Sequence, residues 1–324
     1  MLAFVHTLDA PELDAFHRHV NVHAAGLRVS FCEGRQVVSD YALLQRAHPF
    51  LHVMGRSSIS MNLQGRGRFE EGGRRAWLDP GDLVLSDQRR GGTEAYAGDS
   101  VMLVVDWSPP LGKPLGGDFS LGRLDRRDRA RLIELGRALL QPAGPAQAVA
   151  RMLELLRAMG LPLESVTARD LEADETDCHD QRLHQEMGEH LSRLDRHPSI
   201  DELSERIAWN HRRIHRHIAS SAARHALPWH TWRGALQYAR LLRTIQLLGS
   251  PRATTERVAR AVGFRSPSAL CHALAEGGLP SPGVLAHLAR RDALSRWVDF
   301  GPRVTAGGPQ KVSGESNSLA SHGG

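Results

Sequence analysis

Around Ile214 and Ile218 the chain gathers basic side chains at close spacing: Arg212, Arg213, His215 and Arg216. In a helix, Ile214 and Ile218 share one face because they are four apart. Arg212, His215, Arg216 and Ala219 then share the opposite face, with Arg213 toward the flank. A guanidinium is a planar fork of donors. It can grip guanine O6 and N7 in parallel, or clamp a phosphate. A second and poorer version of this surface follows at Ser268, Cys271 and His272, opposite Leu270 and Leu274. There only His272 has a long polar reach. Other chemistries find less support. His17, His19 and His23, or His211 and His215, could be drawn as metal pairs, and His48 and His52 stand without a nearby carboxylate. No metal site and no bound cofactor is expected. No phosphate-cradling glycine loop, nucleophile elbow or paired-carboxylate arrangement occurs.

The elements that must hold these residues are legible from capping and periodicity. In Val258 to Leu274, Val258, Ala259 and Val262 form a helical stripe, Gly263 interrupts it, and Phe264 follows. Ser266 and Pro267 restart a helix, as N-cap and first-turn residue. Gly263 is the structural turn, where a Cβ is resisted. Helix, glycine turn and capped second helix make a helix-turn-helix. Leu203, Ile207, Ala208 and Trp209 repeat the places of Val258, Val262, Gly263 and Phe264. Asn210 then caps a helix carrying Ile214 and Ile218, the counterparts of Leu270 and Leu274. Ser199 and Glu202 form a capping box before this first unit. Trp229 to Leu248 reads as one long amphipathic helix joining the two, with Trp232, Leu236, Ala239, Leu242 and Ile245 as its stripe.

Two such units on one connecting helix resemble the DNA-binding domain of the AraC/XylS family of bacterial transcription regulators. The resemblance covers roughly residues 196–290. It rests on Arg243-x-x-Gln246-Leu247-Leu248, on Val258-Ala259-x-x-Val262-Gly263-Phe264-x-Ser266-Pro267-Ser268, and on Ser281-Pro282. It implies that each second helix enters a major groove of double-stranded DNA. The DNA-facing positions it implies are Arg212, Arg213, His215 and Arg216 in the first unit and Ser266, Ser268 and His272 in the second. It further implies a small-molecule effector, with RNA polymerase and a second copy of the chain as candidate partners. Two departures stand out. Ala208 occupies a place where Gly is usual, and Gly277-Gly278-Leu279 replaces a small-aromatic-Gly sequence, which should weaken the second unit's DNA contact.

Composition agrees with an anionic partner. The 324 residues carry 41 Lys and Arg against 36 Asp and Glu, a formal charge of +5 and a pI near 9.6. Only Lys113 and Lys311 are lysines. The excess is uneven: residues 164–180 are acidic, while the helix-turn-helix region is rich in Arg and His. Cys32, Cys178 and Cys271 show no metal or redox spacing. With no signal peptide and no apolar run long enough for a bilayer, a cytoplasmic location without membrane partners is expected.

Residues 8–20 read as a short capped helix. From Leu27 to Trp107 the texture is β, with strands expected at Leu27–Phe31, Val37–Leu44, Ser58–Leu63, Arg74–Leu78, Leu83–Leu85 and Val101–Trp107. Turns are expected at Gly34, Gly65-x-Gly67, Gly72-Gly73, Pro80-Gly81 and Gly91-Gly92. Leu63-x-Gly65-x-Gly67-x-Phe69 and the Leu78–Leu85 piece resemble the cupin-type sensing domain of the same family. Helices follow at Asp125–Leu140 and Ala146–Met159. They either pair two subunits or pack on their own barrel, and the sequence leaves both open. The expected fold is α+β. A cupin-like barrel spans 1–123, a helical pair and acidic linker 124–180, a DNA-binding domain 181–300 and a disordered tail 301–324. The resemblance implies an effector-controlled transcription regulator and not an enzyme. The alternative is a metal-free cupin-like protein or cupin enzyme with a degenerate DNA-binding domain.

Overall fold

The computed structural model describes residues 2–294 apart from 25, 41–56, 72–73, 88–92, 109–111, 113–118, 142–144, 162, 165–166, 173–177, 226 and 228. The fold is mixed α+β, an antiparallel sheet followed by helices. The strands are β1 (Leu2–Ala10), β2 (Ala15–Ala24), β3 (Leu27–Asp40), β4 (Ser57–Glu71), β5 (Arg74–Leu78), β6 (Asp82–Asp87), β7 (Thr93–Trp107) and β8 (Ser120–Arg123). Their pairing runs β1-β2-β3-β7-β4-β6-β8, with β5 on β4. The expected His48 and His52, the expected Gly91-Gly92 turn and the expected tail lie outside the described residues.

One apolar face of the sheet, including Val20, Val29, Phe31, Ile59, Met61 and Leu103, packs against α1 (Arg126–Ala138) and α2 (Pro145–Ala158) through Leu132, Val149, Met152 and Leu156. The two helices therefore bury their stripes on their own sheet. Gly136 of α1 lies against the Phe31 ring so closely that a Cβ there would overlap it. Next comes α3 (Ala168–Glu172), inside the stretch expected to be a linker, with Leu171 buried.

Three local expectations are corrected. Residues 8–20 are not a helix. Leu8–Ala10 end β1, Pro11–Leu13 make a single 3-10 turn, and Ala15 begins β2. The period is two, not 3.6, apart from one step of three between His17 and Val20: Ala15, His17, Val20, Val22 and Ala24 are buried while the residues between them are half-exposed. Pro11 and Glu12 open only a single turn, and the nine-pair register of β1 on β2 supplies the backbone hydrogen bonds a helix would have made. Gly34 is not a turn either. It lies within β3, where the register against β7 shifts between Gly34 and Val37. Gly65 likewise sits inside β4 at φ 81°, and a Cβ would stand 2.5 Å from the Asp99 carbonyl oxygen. Both glycines serve as bulges that bend long strands.

The remaining helices are α4 (Cys178–Leu191), α5 (Ile200–Ile207), α6 (His211–His225), α7 (Trp232–Leu248), α8 (Thr255–Ala261), α9 (Pro267–Glu276) and α10 (Pro282–Leu294). Their shared core includes Leu183, Leu203, Ile214, Ile218, Val258 and Leu270, and takes in Leu8, Ala10, Leu13 and Ala15 from the β1–β2 hairpin. Two hydrogen bonds tie α7 and its end to that hairpin. Ser250 Oγ donates to the Leu13 carbonyl at 2.8 Å, and the Gln246 amide nitrogen lies 3.4 Å from the His17 ring.

Candidate nucleic-acid interface

The first unit is α5, a tight turn and α6. Ser199 accepts from the Glu202 backbone N–H at 3.1 Å, and Glu202 accepts from the Ser199 N–H at 3.1 Å, the reciprocal cap expected from sequence. Ala208 then enters the left-handed region at φ 56°. The Trp209 N–H donates back to the Ser204 carbonyl at 3.2 Å, and the Ser204 hydroxyl donates to the Trp209 carbonyl. Asn210 caps α6 by accepting from the Arg213 N–H at 2.8 Å. With Ile214 and Ile218 fully buried, Arg212, His215, Arg216 and Ala219 are exposed, so the helix presents the expected face outward.

Arg213 is placed differently from its neighbours. It is half-buried, and its guanidinium carbon lies 4.1 Å from the centre of the Trp209 ring. That is cation–π distance. The ring of His217 lies 4.7 Å from the same indole. His217 Nδ1 is 2.7 Å from Asp180, a carboxylate almost wholly buried on α4, and Arg224 reaches the same carboxylate at 3.4 Å. Behind α6, His184 of α4 bonds to Ser221 Oγ at 2.7 Å. Burial, with smaller contributions from His225 and His217, pushes His184 down from the usual 6.5 to about 3. These contacts fix the roll of α6 and so the direction its basic face points. The sequence reading assigned Asp180 only to an acidic linker and gave His184 and Ser221 no role. Their helical spacing was visible, but their partners lie 37 residues apart.

The second unit repeats the backbone. Thr254 caps α8 by accepting from the Arg257 N–H at 3.2 Å. Gly263 takes φ 73°, and the Phe264 N–H donates to the Ala259 carbonyl at 2.8 Å. Ser266 accepts from the Ala269 N–H at 3.1 Å and caps α9. Ser266 is thus engaged as a cap, while Ser268, Cys271 and His272 are exposed opposite buried Leu270 and Leu274. Relative to the first unit the turn has one more residue, Arg265, which is exposed, as are Arg257 and Arg260 of α8. The substituted sequence Gly277-Gly278-Leu279 ends α9 cleanly. Gly278, at the place of the aromatic, turns at φ 68°, and Leu279, 7% exposed, packs into the helical core.

No protein-family model matches the chain. No curated protein matches it either. Among solved structures the chain is similar, at low identity, to ToxT from Vibrio cholerae, with 9% identity over 80% of this chain and 98% of that one and a TM-score of 0.32. ToxT with unsaturated fatty acid bound gives 11% identity over 88% and 94% of the two chains at a TM-score of 0.30. An HTH_3 family transcriptional regulator from Vibrio cholerae gives 13% over 29% and 51% at 0.23. Likenesses this distant leave the function to be argued from the chain's own residues.

Those residues make one concentrated cationic helix face and one sparse one. Among the described residues, no group of three or more His, Cys, Asp or Glu side chains is placed to hold a metal ion. No described helix is long and apolar enough to cross a membrane.

Proposed function

We propose that the chain is a sequence-specific DNA-binding transcription regulator of the AraC/XylS type, with residues 181–300 as its DNA-binding domain and a cupin-like sheet domain that answers to a small-molecule effector. One observation carries this reading: Arg212, His215 and Arg216 stand exposed on α6, opposite buried Ile214 and Ile218, in a turn whose backbone recurs in α8–α9. A helix in the major groove needs such a face, because base edges are read by forked or paired donors at its midpoint. Arg216 is the proposed guanine reader, with Arg212 and His215 beside it. Arg213, held on Trp209, is the proposed phosphate contact. In the second unit Ser268 and His272 face the DNA, Ser266 holds the start of the helix, and Arg257 and Arg265 supply phosphate contacts. RNA polymerase and a second copy of the chain are partners of the same proposal.

The test begins with selection of bound fragments from genomic DNA by the purified full-length protein. Arg216→Ala and Arg213→Ala are then measured against operator variants over a range of salt. Arg216→Ala should relax preference at one base position. Arg213→Ala should weaken all sequences alike and reduce the salt slope by about one unit. If Arg216→Ala loses affinity equally for specific and random DNA, the residue is a phosphate clamp and the helix is wrongly placed in the groove.

A further inference from the structure

One row of the sheet, on the face turned away from α1 and α2, is built of electron-pair donors. His19 of β2 stands directly opposite Cys32 of β3, and Cys32 directly opposite Met102 of β7. Side chains at paired positions share a face, with Cβ atoms about 4.5–5.5 Å apart. Their sequence neighbours Val20, Phe31, Val101 and Leu103 go to the other face, in the core with α1 and α2. Cys32 and Met102 are buried and pack with Val104 in a small apolar cluster. Cys32 is in no disulfide. His19 Nε2 is buried and makes no hydrogen bond. Burial, reinforced by Arg28, pushes the pKa of His19 down to about 4, so the ring is neutral at pH 7. A side-chain hydrogen bond with Asn21 favours its protonated form, as a donated bond does. Because Nε2 makes none, that bond runs through Nδ1 and leaves a lone pair on Nε2. Ser30 Oγ in turn donates to the Asn21 amide oxygen and fixes it. A neutral imidazole anchored through its other nitrogen is prepared as a metal ligand.

We propose that His19, Cys32 and Met102 bind one soft monovalent metal ion, Cu(I), through imidazole nitrogen, thiolate and thioether sulfur. Thiolate and thioether together select Cu(I) over hard cations, and imidazole suits copper as well. The thioether sets this row apart from groups of His, Cys, Asp and Glu alone, none of which collects three members among the described residues. Charge decides the valence. Arg28 and Arg243 already place positive potential at His19. As the Cu–S bond forms, the Cys32 S–H bond breaks and its proton leaves to solvent. Copper stays Cu(I), and a neutral thiol becomes a neutral Cu(I)–thiolate. A divalent ion in the same place would leave a net positive charge among apolar side chains beside two arginines, which is strongly unfavourable. The ion needs no cavity, because it takes the place of the thiol proton between its donors. Neither the site nor its test involves DNA.

The full-length protein, reduced and kept free of oxygen, is titrated into the coloured Cu(I) complex of bicinchoninate. The Cys178→Ser/Cys271→Ser variant is used, so that Cys32 is its one thiol. The expected result is withdrawal of one Cu(I) per chain, release of one proton per ion, and an ultraviolet thiolate-to-copper absorption band. Cys32→Ser should abolish all three. Asn21→Ala, which releases the ring of His19, should weaken binding by about 10–100-fold. Met102→Leu, close to it in volume, should weaken binding further while the sheet stays folded. Equimolar Zn(II) should displace none of the copper. Failure to take copper from bicinchoninate, withdrawal unchanged in Cys32→Ser, or displacement by Zn(II) overturns the site. Should Cys32→Ser fail to fold, Met102→Leu decides: unchanged affinity there means the thioether is core packing and the row holds no ion.

Discussion

Ala208 and Gly263 hold the same place in the two helix-turn-helix units, at φ 56° and 73°, and both turns close with the same backward hydrogen bond. Their surroundings differ. Gly263 lies so close to the Leu194 carbonyl that a Cβ would overlap its oxygen, so the second turn leans on the short helical turn that precedes the first unit. Ala208 carries a Cβ through the same backbone conformation. The second helices of the two units differ in the opposite sense. The first unit departs from the glycine rule but bears the basic face, whereas the second obeys it and bears Ser268, Cys271 and His272. Backbone regularity and surface chemistry are thus separable: the turn secures the angle between helices, and the exposed residues of the second helix decide what that angle is used for.

The comparison can be broken most forcefully at Gly263. Gly263→Val adds overlap with the Leu194 carbonyl to the roughly 1–3 kcal/mol of left-handed backbone strain, and the second unit should unfold. Urea unfolding should shift by more than that strain, and DNA retention should be lost while the β signal of the sheet persists. Wild-type affinity in this variant would mean the turn is not required.

Acid should act on the first unit. The folded pKa of His184 is about 3 against 6.5 unfolded, so the unfolded chain binds more protons between those values. Stability is therefore complete above pH 6.5 and declines as pH falls toward 3, by roughly 2 kcal/mol at pH 5 from this group. His19, held at about 4 by burial and by Arg28, adds a decline of the same sign over pH 6.5 to 4. Thermal unfolding between pH 7 and 5 checks this, and His184→Gln, which can still bond Ser221, should flatten the acid limb. A slope unaltered in that variant would remove His184 from the account.

On the DNA side, Arg216→Ala should lose about 1–3 kcal/mol against its cognate base. His272→Ala should lose less and show no base preference. Equal losses in a binding titration would erase the asymmetry between the units. The smallest effect is expected at Ala208→Gly. Relief of left-handed strain outweighs the added freedom of the unfolded chain, and stability should rise by up to about 1 kcal/mol. A loss of stability on denaturant titration would show that the Ala208 methyl packs usefully.

Much of this architecture was legible in advance where the determinants are local. Arg74–Leu78 is a strand with the bounds expected, and the Asp125–Leu140 and Ala146–Met159 patterns form α1 and α2 within two residues of each end. The Ser199–Glu202 box, the Asn210 cap and the Ser266 cap act as their spacing predicts. Expectations failed where a residue type has two uses. Gly34 and Gly65 punctuate equally well as turns or as bulges, and long-range pairing with β7 chose the bulge. Pro11 and Glu12 begin a helix or a single turn, and the pairing of β1 with β2 chose the turn.

Helical period, caps and the exposed basic face of α6 follow from the sequence alone, because each depends on residues within a turn or two of one another. The second side of α7 does not. Arg243, Thr244 and Gln246 lie off its apolar stripe, yet they and Ser250 just past its end are buried. Leu13 and His17 cover that side from more than 220 residues away. A hydrophobic stripe tells a helix which face must leave water. It says nothing about a polar face that a remote hairpin will cover, because that cost is set by the partner and by what the partner leaves unpaired. Only the tertiary structure decided that Arg243 would be enclosed.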